Sequence, residues 1–187
     1  VEPELLDTLA AADPLAVGSR GDLRRLNLLM GNAGFLGRAL WGQQNSKSLS
    51  SRSLRVAELG GGDGTLLLRL ARRWARLGVR AELTLIDRQN LVSPMTLRAF
   101  EGLSWPVQIV VSDVFDWLET PAAASDVMVA NLFLHHFQDR SLQSLFRLAA
   151  HQTHLLLACE PRRSTLALAA ARGLGLLGCN AVTRHDA

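Results

Sequence analysis

Four glycines occupy five consecutive positions, 60–64, between a strand-like segment and a leucine-rich segment in VAELGGGDGTLLLRLARR (56–73). The residues before the glycines are apolar and partly β-branched, and those after them place leucines at helical spacing. A turn alone does not need so many residues without side chains, because each one costs conformational entropy on folding. Glycines between a strand and a helix also let a ligand approach the backbone, so this segment predicts a ligand-binding cleft.

Strand and helix patterns alternate from residue 54 onward. The apolar segments predict strands at 54–60, 81–87, 107–113, 125–133 and 153–161, and helical spacing lies between them at 65–78, 93–102 and 140–151. The strands are apolar along nearly their whole length, which is typical of a parallel sheet covered on both faces. The prediction is therefore an α/β, Rossmann-like, doubly wound fold with a mainly parallel sheet and helices on both faces.

The remaining segments suggest three parts. Helical patterns at 4–17 and 22–41, joined by a Pro/Gly break, predict a helical N-terminal cap over 1–41. The polar, serine-rich stretch 42–53 is interpreted as a linker or mobile loop, and 54–187 as the ligand-binding α/β domain. A helical pattern at 164–178 contains several glycines, and no strand pattern follows residue 161, so the last strands of such a sheet are expected to be absent from this chain. Val1 in place of methionine predicts an N-terminus that is missing or processed.

Composition argues against several other classes of protein. The net charge is +3, but the arginines are dispersed and tyrosine is absent, so a nucleic-acid surface is not expected. Two cysteines give neither a disulfide framework nor a metal site, which favours a reducing cytoplasm. The apolar runs are too short and too often interrupted by arginine to span a bilayer, and no signal peptide is evident.

The glycine pattern itself discriminates between ligands. A P-loop needs lysine followed by Ser or Thr after its last glycine, and here Gly64 is followed directly by Thr65. A dinucleotide fingerprint starting at Gly60 would need Gly or Ala where Thr65 stands. The spacing that fits is acidic-x-G-x-G-x-G. Its residues, with the intervening glycine, are Glu58, Gly60, Gly61, Gly62 and Gly64. Over about 54–161 the chain resembles the class I methyltransferases that use S-adenosyl-L-methionine (SAM).

That resemblance assigns roles to the ends of the second and third strands. Ligands of open α/β sheets bind beyond the carboxyl ends of the strands. By resemblance, Asp87 would accept hydrogen bonds from the ribose hydroxyls, and Asp113 would accept one from the exocyclic amine of adenine. The backbone N–H of Val114 would meet an adenine ring nitrogen. Arg88 either lies over the adenine or faces water, and the sequence leaves this open.

The fourth strand leads into ANLFLHHF (130–137). By resemblance, Asn131 lines the methionine part of the cofactor, and Glu58 with the carbonyls near residues 60 and 131 would face its amino-acid end. Small-molecule O-methyltransferases carry LHDW-x-D here and use the histidine as a base, which would make His135 the catalytic base and Asp139 the later acidic residue. His136 departs from that pattern, and a histidine that only bonds within its loop is the alternative.

The resemblance implies an enzyme that moves a methyl group from SAM to a small, apolar organic acceptor by O- or C-methylation, releasing S-adenosyl-L-homocysteine (SAH). A non-catalytic methyltransferase-like binding module and a methyltransferase acting on a macromolecule are the alternatives. The expected partner is the small-molecule acceptor, with no nucleic acid, membrane or metal; a homodimer is left open.

Overall fold

The computed structural model of the chain describes residues 5–10, 12–43, 53–160 and 179–186. Most of the predicted linker at 42–53 and the whole predicted helix at 164–178 lie outside these residues. The chain divides into two compact units, Asn32–Cys159 and Val1–Gly31 with Glu160–Ala187. The three-part division drawn from the sequence stays a prediction.

Three helices come first in the described residues, and from residue 54 strands alternate with helices. The helices are α1 (Leu5–Thr8), α2 (Pro14–Leu29), α3 (Asn32–Gln43), α4 (Thr65–Ala75), α5 (Pro94–Glu101), α6 (Val114–Leu118), α7 (Asp139–Gln152) and α8 (Ala181–Asp186). The strands are β1 (Leu54–Leu59), β2 (Ala81–Asp87), β3 (Val107–Val111), β4 (Ser125–Asn131) and β5 (Thr153–Cys159). All strand pairs are parallel, in the order β3-β2-β1-β4-β5. The predicted doubly wound parallel sheet is therefore confirmed.

The sheet of the larger unit separates two apolar clusters. Alternate residues of β1 point to opposite faces: Val56 packs with side chains of α3, α4 and α5, whereas Ala57 and Leu59 pack with those of α6 and α7. β1 and β4 are buried on both faces, which explains why their sequences are apolar rather than alternating. This burial holds the strands in place, and functional residues can then lie at their carboxyl ends.

The strand and helix ends differ from the sequence prediction in several places. β3 ends at Val111 rather than 113, because Asp113 caps the short helix α6, which the sequence did not predict. β4 ends at Asn131 and β5 at Cys159, each two residues early. These short elements depend on caps and tertiary packing, and hydrophobic periodicity does not report either.

The N-terminal helices also break elsewhere than predicted. The pattern at 4–17 is split, because Pro14 fits only the first turn of a helix and Asp13 caps it, with Oδ1 accepting from the Leu15 N–H at 2.7 Å. The pattern at 22–41 is split at Gly31, whose φ of 67° no regular helix allows. The apolar periodicity of the sequence does not reveal either break, because apolar residues lie on both sides of each break.

The smaller unit is held by a buried polar network. Asp22 of α2 is 2% exposed, and its Oδ2 accepts from the Asn180 N–H at 2.7 Å and lies 3.0 Å from Oγ1 of Thr183 in α8. Oγ1 of Thr183 also lies 2.9 Å from Oγ of Ser19, and Arg25 forms an ion pair with Asp22. Buried polar groups need such partners, so this network ties α8 to α2.

Candidate functional site

The carboxyl ends of four adjacent strands come together at one edge of the sheet. β1 lies between β2 and β4, and its last residue, Leu59, pairs with Ile86 and Ala130. On the far side of β2, Asp87 pairs with Val111 of β3. Because the strands are parallel and in this register, the loops that follow them leave the sheet side by side. This is the edge at which open α/β sheets bind ligands.

The glycines between β1 and α4 serve two different purposes. A side chain at Gly61 or Gly64 would put its Cβ 2.8 or 3.0 Å from a methyl carbon of Leu85, so Leu85 packs in the space that a side chain at either position would take. Gly62 differs, since its φ is 53° and no atom lies within 4 Å of where a Cβ would stand. The space beside Gly62 is therefore where a ligand could approach this backbone.

Asp87 accepts a hydrogen bond from the glycine turn and can accept further hydrogen bonds. Its Oδ2 accepts from the Gly62 N–H and its Oδ1 from the Gln89 N–H, both at 2.9 Å. A carboxylate has about four acceptor positions, so each oxygen can accept a further hydrogen bond. Oε1 of Gln89 is buried and has no hydrogen-bond partner. Asp87 thus offers further acceptor positions, at the end of β2, to a ligand that carries hydroxyl or amine donors.

Glu58 is a buried carboxyl whose hydrogen bonding is incomplete. It is 3% exposed, and its Oε2 has no hydrogen-bond partner. Burial raises its pKa well above the ordinary value, and the negative charges of Asp63 and Asp87 raise it further. A hydrogen bond from the Leu67 N–H offsets only part of this effect. Such a carboxyl is suited to a positively charged partner, which would satisfy Oε2 and relieve the repulsion.

Arg88 and Asp113 form an ion pair across the ends of β2 and β3. Asp113 Oδ2 accepts from Arg88 Nη2 at 2.6 Å and from Nε at 3.1 Å, while Oδ1 accepts from the Phe115 N–H at 2.8 Å. Partial burial raises the pKa of Asp113, but Arg88 and the backbone N–H groups of Phe115 and Asp116 lower it more, so the net shift is downward. Val114, the first residue of α6, has a buried side chain. Arg88 is thus directed at Asp113, an arrangement that the sequence did not predict.

Asn131, at the end of β4, is paired with a residue from a distant part of the larger unit. Its Oδ1 accepts from Nδ2 of Asn32 at 2.8 Å, and both side chains are buried. Asn32 was not a candidate from sequence, because it lies 99 residues away and no local pattern marks it. The bond fixes the amide of Asn131 at the tip of its strand.

The segment after β4 brings aromatic rings to the glycine turn. Leu132 has a φ of 49°, and a 3₁₀ helix (Leu134–His136) follows. The rings of His135 and His136 lie 4.4 Å apart between centroids. Phe133 packs directly against Gly60, a contact that the sequence did not reveal although the residue stands inside the ANLFLHHF segment. The catalytic role of His135 stays a prediction.

Two features are absent from the part of the chain that the structure describes. Among residues 5–10, 12–43, 53–160 and 179–186, no three His, Cys, Asp or Glu side chains are grouped so as to hold a metal ion. No helix within those residues combines the length and the apolar character needed to cross a membrane.

Comparison with known proteins identifies the family. The sequence pattern of the methyltransferase-domain family matches residues 56–154, which is more than half of the chain. No curated protein sequence matches the chain.

Solved structures resemble the chain at low sequence identity. An O-methyltransferase family protein from Burkholderia thailandensis is 19% identical with a TM-score of 0.54, over 92% of this chain and 51% of that one. A putative SAM-dependent methyltransferase from Methanococcus maripaludis is 13% identical with a TM-score of 0.47, over 90% and 76%. A putative methyltransferase from Streptococcus mutans in complex with SAH is 13% identical with a TM-score of 0.44, over 68% and 70%.

The chain spans about half the length of the Burkholderia protein, whose likeness concerns the fold. That fold agrees with the parallel five-stranded sheet and with the family match over its central part. The chain belongs to the methyltransferase-domain family and has the Rossmann-like fold of class I SAM-dependent methyltransferases.

Proposed function

We propose that this protein binds SAM across the ends of β3, β2 and β1 and transfers its methyl group to a small, apolar organic acceptor by O- or C-methylation. The observation that carries the proposal is the order of polar groups along the sheet edge. The Arg88–Asp113 pair lies across the ends of β3 and β2, the Asp87 carboxylate at the end of β2, and the buried Glu58 near the end of β1, which leads into the glycine turn with its open space at Gly62.

The residues at this edge fit the chemistry of SAM. SAM supplies a methyl group on a positively charged sulfur, which is attached to an adenosine and to an amino acid. The acceptor positions left on Asp87 suit the two ribose hydroxyls, and the unpartnered Oε2 of Glu58 suits the ammonium of the amino-acid part. Arg88 and Asp113 would contact the adenine. The adenine would compete with Arg88 for the Asp113 carboxylate, and the ion pair between them is weak because the Arg88 side chain is largely exposed.

The surroundings of the β4 end support an apolar acceptor. Phe133 packs edge-to-face with Phe137, and Phe137 packs in the same way with Phe115. This aromatic cluster lies beside the β4 end and carries no charge for phosphates. The segment ANLFLHHF also lacks the Pro-Pro-Tyr type of signature found in enzymes that methylate bases. Both observations favour a small organic acceptor over nucleic acid.

Catalysis would depend chiefly on alignment. The methyl of a sulfonium is intrinsically reactive, so the protein mainly has to hold the accepting atom in line with it. Asn131, fixed by Asn32, would help to shape the site at the methionine part. If the acceptor is a hydroxyl, His135 would take up its proton as a general base; an activated carbon or an amine needs this less.

The proposal is tested by binding first and turnover second. We expect SAM and SAH to bind the protein in isothermal titration, and Asp87→Ala to lose that binding because it removes both the acceptor and the support of Gly62. Labelled methyl transfer to a panel of phenolic and other apolar acceptors then follows. No binding of either ligand to the folded protein would refute the proposal. Binding without transfer to any acceptor would instead favour the non-catalytic module.

A further inference from the structure

Phe133 and Gly60 are matched to one another. Gly60 has a φ of 67°, and a Cβ at this position would lie 2.2 Å from Cδ2 of the Phe133 ring. Real Cβ atoms do not come this close to other atoms, so the ring occupies the space that any other residue would need. The first glycine of the pattern is therefore required for contact with an aromatic ring, whereas Gly62 leaves its space open.

The ring is held in this position from several directions. Leu132 has a φ of 49°, which is an unfavourable conformation for leucine and changes the direction of the chain after β4. Phe137 packs against Phe133 with centroids 5.1 Å apart and planes at 80°, and Phe115 packs behind Phe137 at 5.4 Å. Strain of this kind is retained where the surrounding structure or function requires it. Phe133 as a residue is half-buried rather than enclosed in the core.

The strand order locates Phe133 relative to a bound cofactor. In SAM the sulfur is bonded to C5′ of the ribose, so it follows the ribose directly. If the ribose is at Asp87 on β2, the next strand in the direction away from the adenine end is β1, about 4.8 Å further. The residue after β1 is Gly60, and the aromatic side chain against it is that of Phe133.

We infer that the ring of Phe133 contacts the positively charged sulfur and makes the site prefer SAM over the neutral product SAH. This inference rests on the proposed function and adds to it a residue that determines cofactor specificity. The face of an aromatic ring attracts a cation through its quadrupole. SAM carries this charge and SAH does not, although the two molecules otherwise share nearly every contact. A methyltransferase gains from such a contact, because the product leaves more readily once the charge is gone.

Fluorination of one ring tests the inference without changing the shape of the site. Phenylalanine with one, two or three fluorines is introduced at position 133, and the dissociation constants of SAM and SAH are measured by isothermal titration. Each fluorine weakens the quadrupole while the ring keeps nearly the same size. We expect SAM to bind progressively more weakly, by about 5-fold for the trifluorinated ring, while SAH stays within about 2-fold. Phe133→Leu should lower the same SAM-to-SAH preference.

A matched control uses Phe146, an exposed phenylalanine on α7. The same fluorinations there should change neither constant. Sinefungin, which has a protonated amine in place of the methylated sulfur, should follow SAM rather than SAH across the series at Phe133.

The outcomes separate this inference from the proposed function. If the unmodified protein binds neither SAM nor SAH, the proposed function fails. If it binds both, but the ratio of the two constants does not change on fluorination, or changes in favour of SAM, then the inference about Phe133 is wrong and the proposed function stands.

Discussion

Replacing Gly62 with alanine should separate the ligand-binding role of the glycine turn from its structural role. Gly62 and Gly78 have left-handed φ values of 53° and 77°, and neither has an atom within 4 Å of where a Cβ would lie. Gly78 closes the turn after α4, just before β2, and so lies at the edge of the sheet opposite the candidate site. The two positions share a left-handed φ and open space for a Cβ, but the Gly62 N–H donates to Asp87 beside the candidate site, whereas the Gly78 N–H donates to the Ala75 carbonyl.

The cost in stability should be similar at the two positions. Left-handed backbone costs a residue with a side chain roughly 1–2 kcal/mol, and alanine recovers about 0.4–1 kcal/mol by restricting the unfolded chain. The net loss is about 1 kcal/mol, which lowers Tm by about 3 °C in a chain of this size. Urea denaturation and thermal melting of Gly62→Ala and Gly78→Ala should give this small, matched loss.

Ligand binding should distinguish the two variants. The new methyl group in Gly62→Ala projects into the space that we assign to the cofactor, and overpacking of this kind costs about 1–3 kcal/mol. We expect Gly62→Ala to bind SAH at least about 10-fold more weakly than the unmodified protein, and Gly78→Ala to bind it equally well. If folded Gly62→Ala binds SAH with unchanged affinity, the open space beside Gly62 is not the binding site.

Three further changes test other parts of the structure. Glu58→Gln should be about 1–3 kcal/mol more stable than the unmodified protein near pH 8, because the raised pKa shows that burying this carboxyl beside two other carboxylates is unfavourable at that pH, whereas an amide carries no charge. The folded state keeps the Glu58 proton up to a higher pH than the unfolded state does, so the difference in stability should shrink as pH falls toward about 4.3. A difference in urea denaturation that does not depend on pH would contradict this. Arg88→Ala should weaken SAH binding about 3- to 10-fold in titration while changing stability by less than about 1 kcal/mol, because the Arg88 side chain is largely exposed in its ion pair with Asp113; unchanged affinity would show that Arg88 does not contact the ligand. Thr183→Val should cost about 1–3 kcal/mol by removing a partner of the buried Asp22 carboxylate, and an unchanged urea midpoint would show that this contact does not stabilise the unit.

The larger architecture was predictable because it depends on local signals. Five apolar segments with helical spacing between them are sufficient to indicate a parallel sheet, and the strand that ends in Asp87 was located correctly. Short elements gave weaker signals. Asp113 was expected at the end of a strand, but its side chain caps a helix of five residues, and no periodicity can be detected over so short a length.

Contacts between distant residues could not be read from the sequence. The bond between Asn32 and Asn131 joins positions 99 residues apart, and nothing near either residue indicates the other. The four glycines cannot be distinguished from the sequence, although the Phe133 ring packs against Gly60 and open space lies beside Gly62. The unpartnered oxygen of Glu58 is likewise a property of three-dimensional packing. The residue types indicated the chemistry of the site, but the role of each residue could be assigned only from the folded structure.

The crystal structure of this protein with bound SAH would test the central claim most directly. We predict density for one ligand molecule along the sheet edge, with the adenine beside Asp113, the ribose hydroxyls on Asp87, and the sulfur beside Gly60 and Phe133. A ligand bound elsewhere on the chain, or bound here with its ribose away from Asp87, would contradict the account.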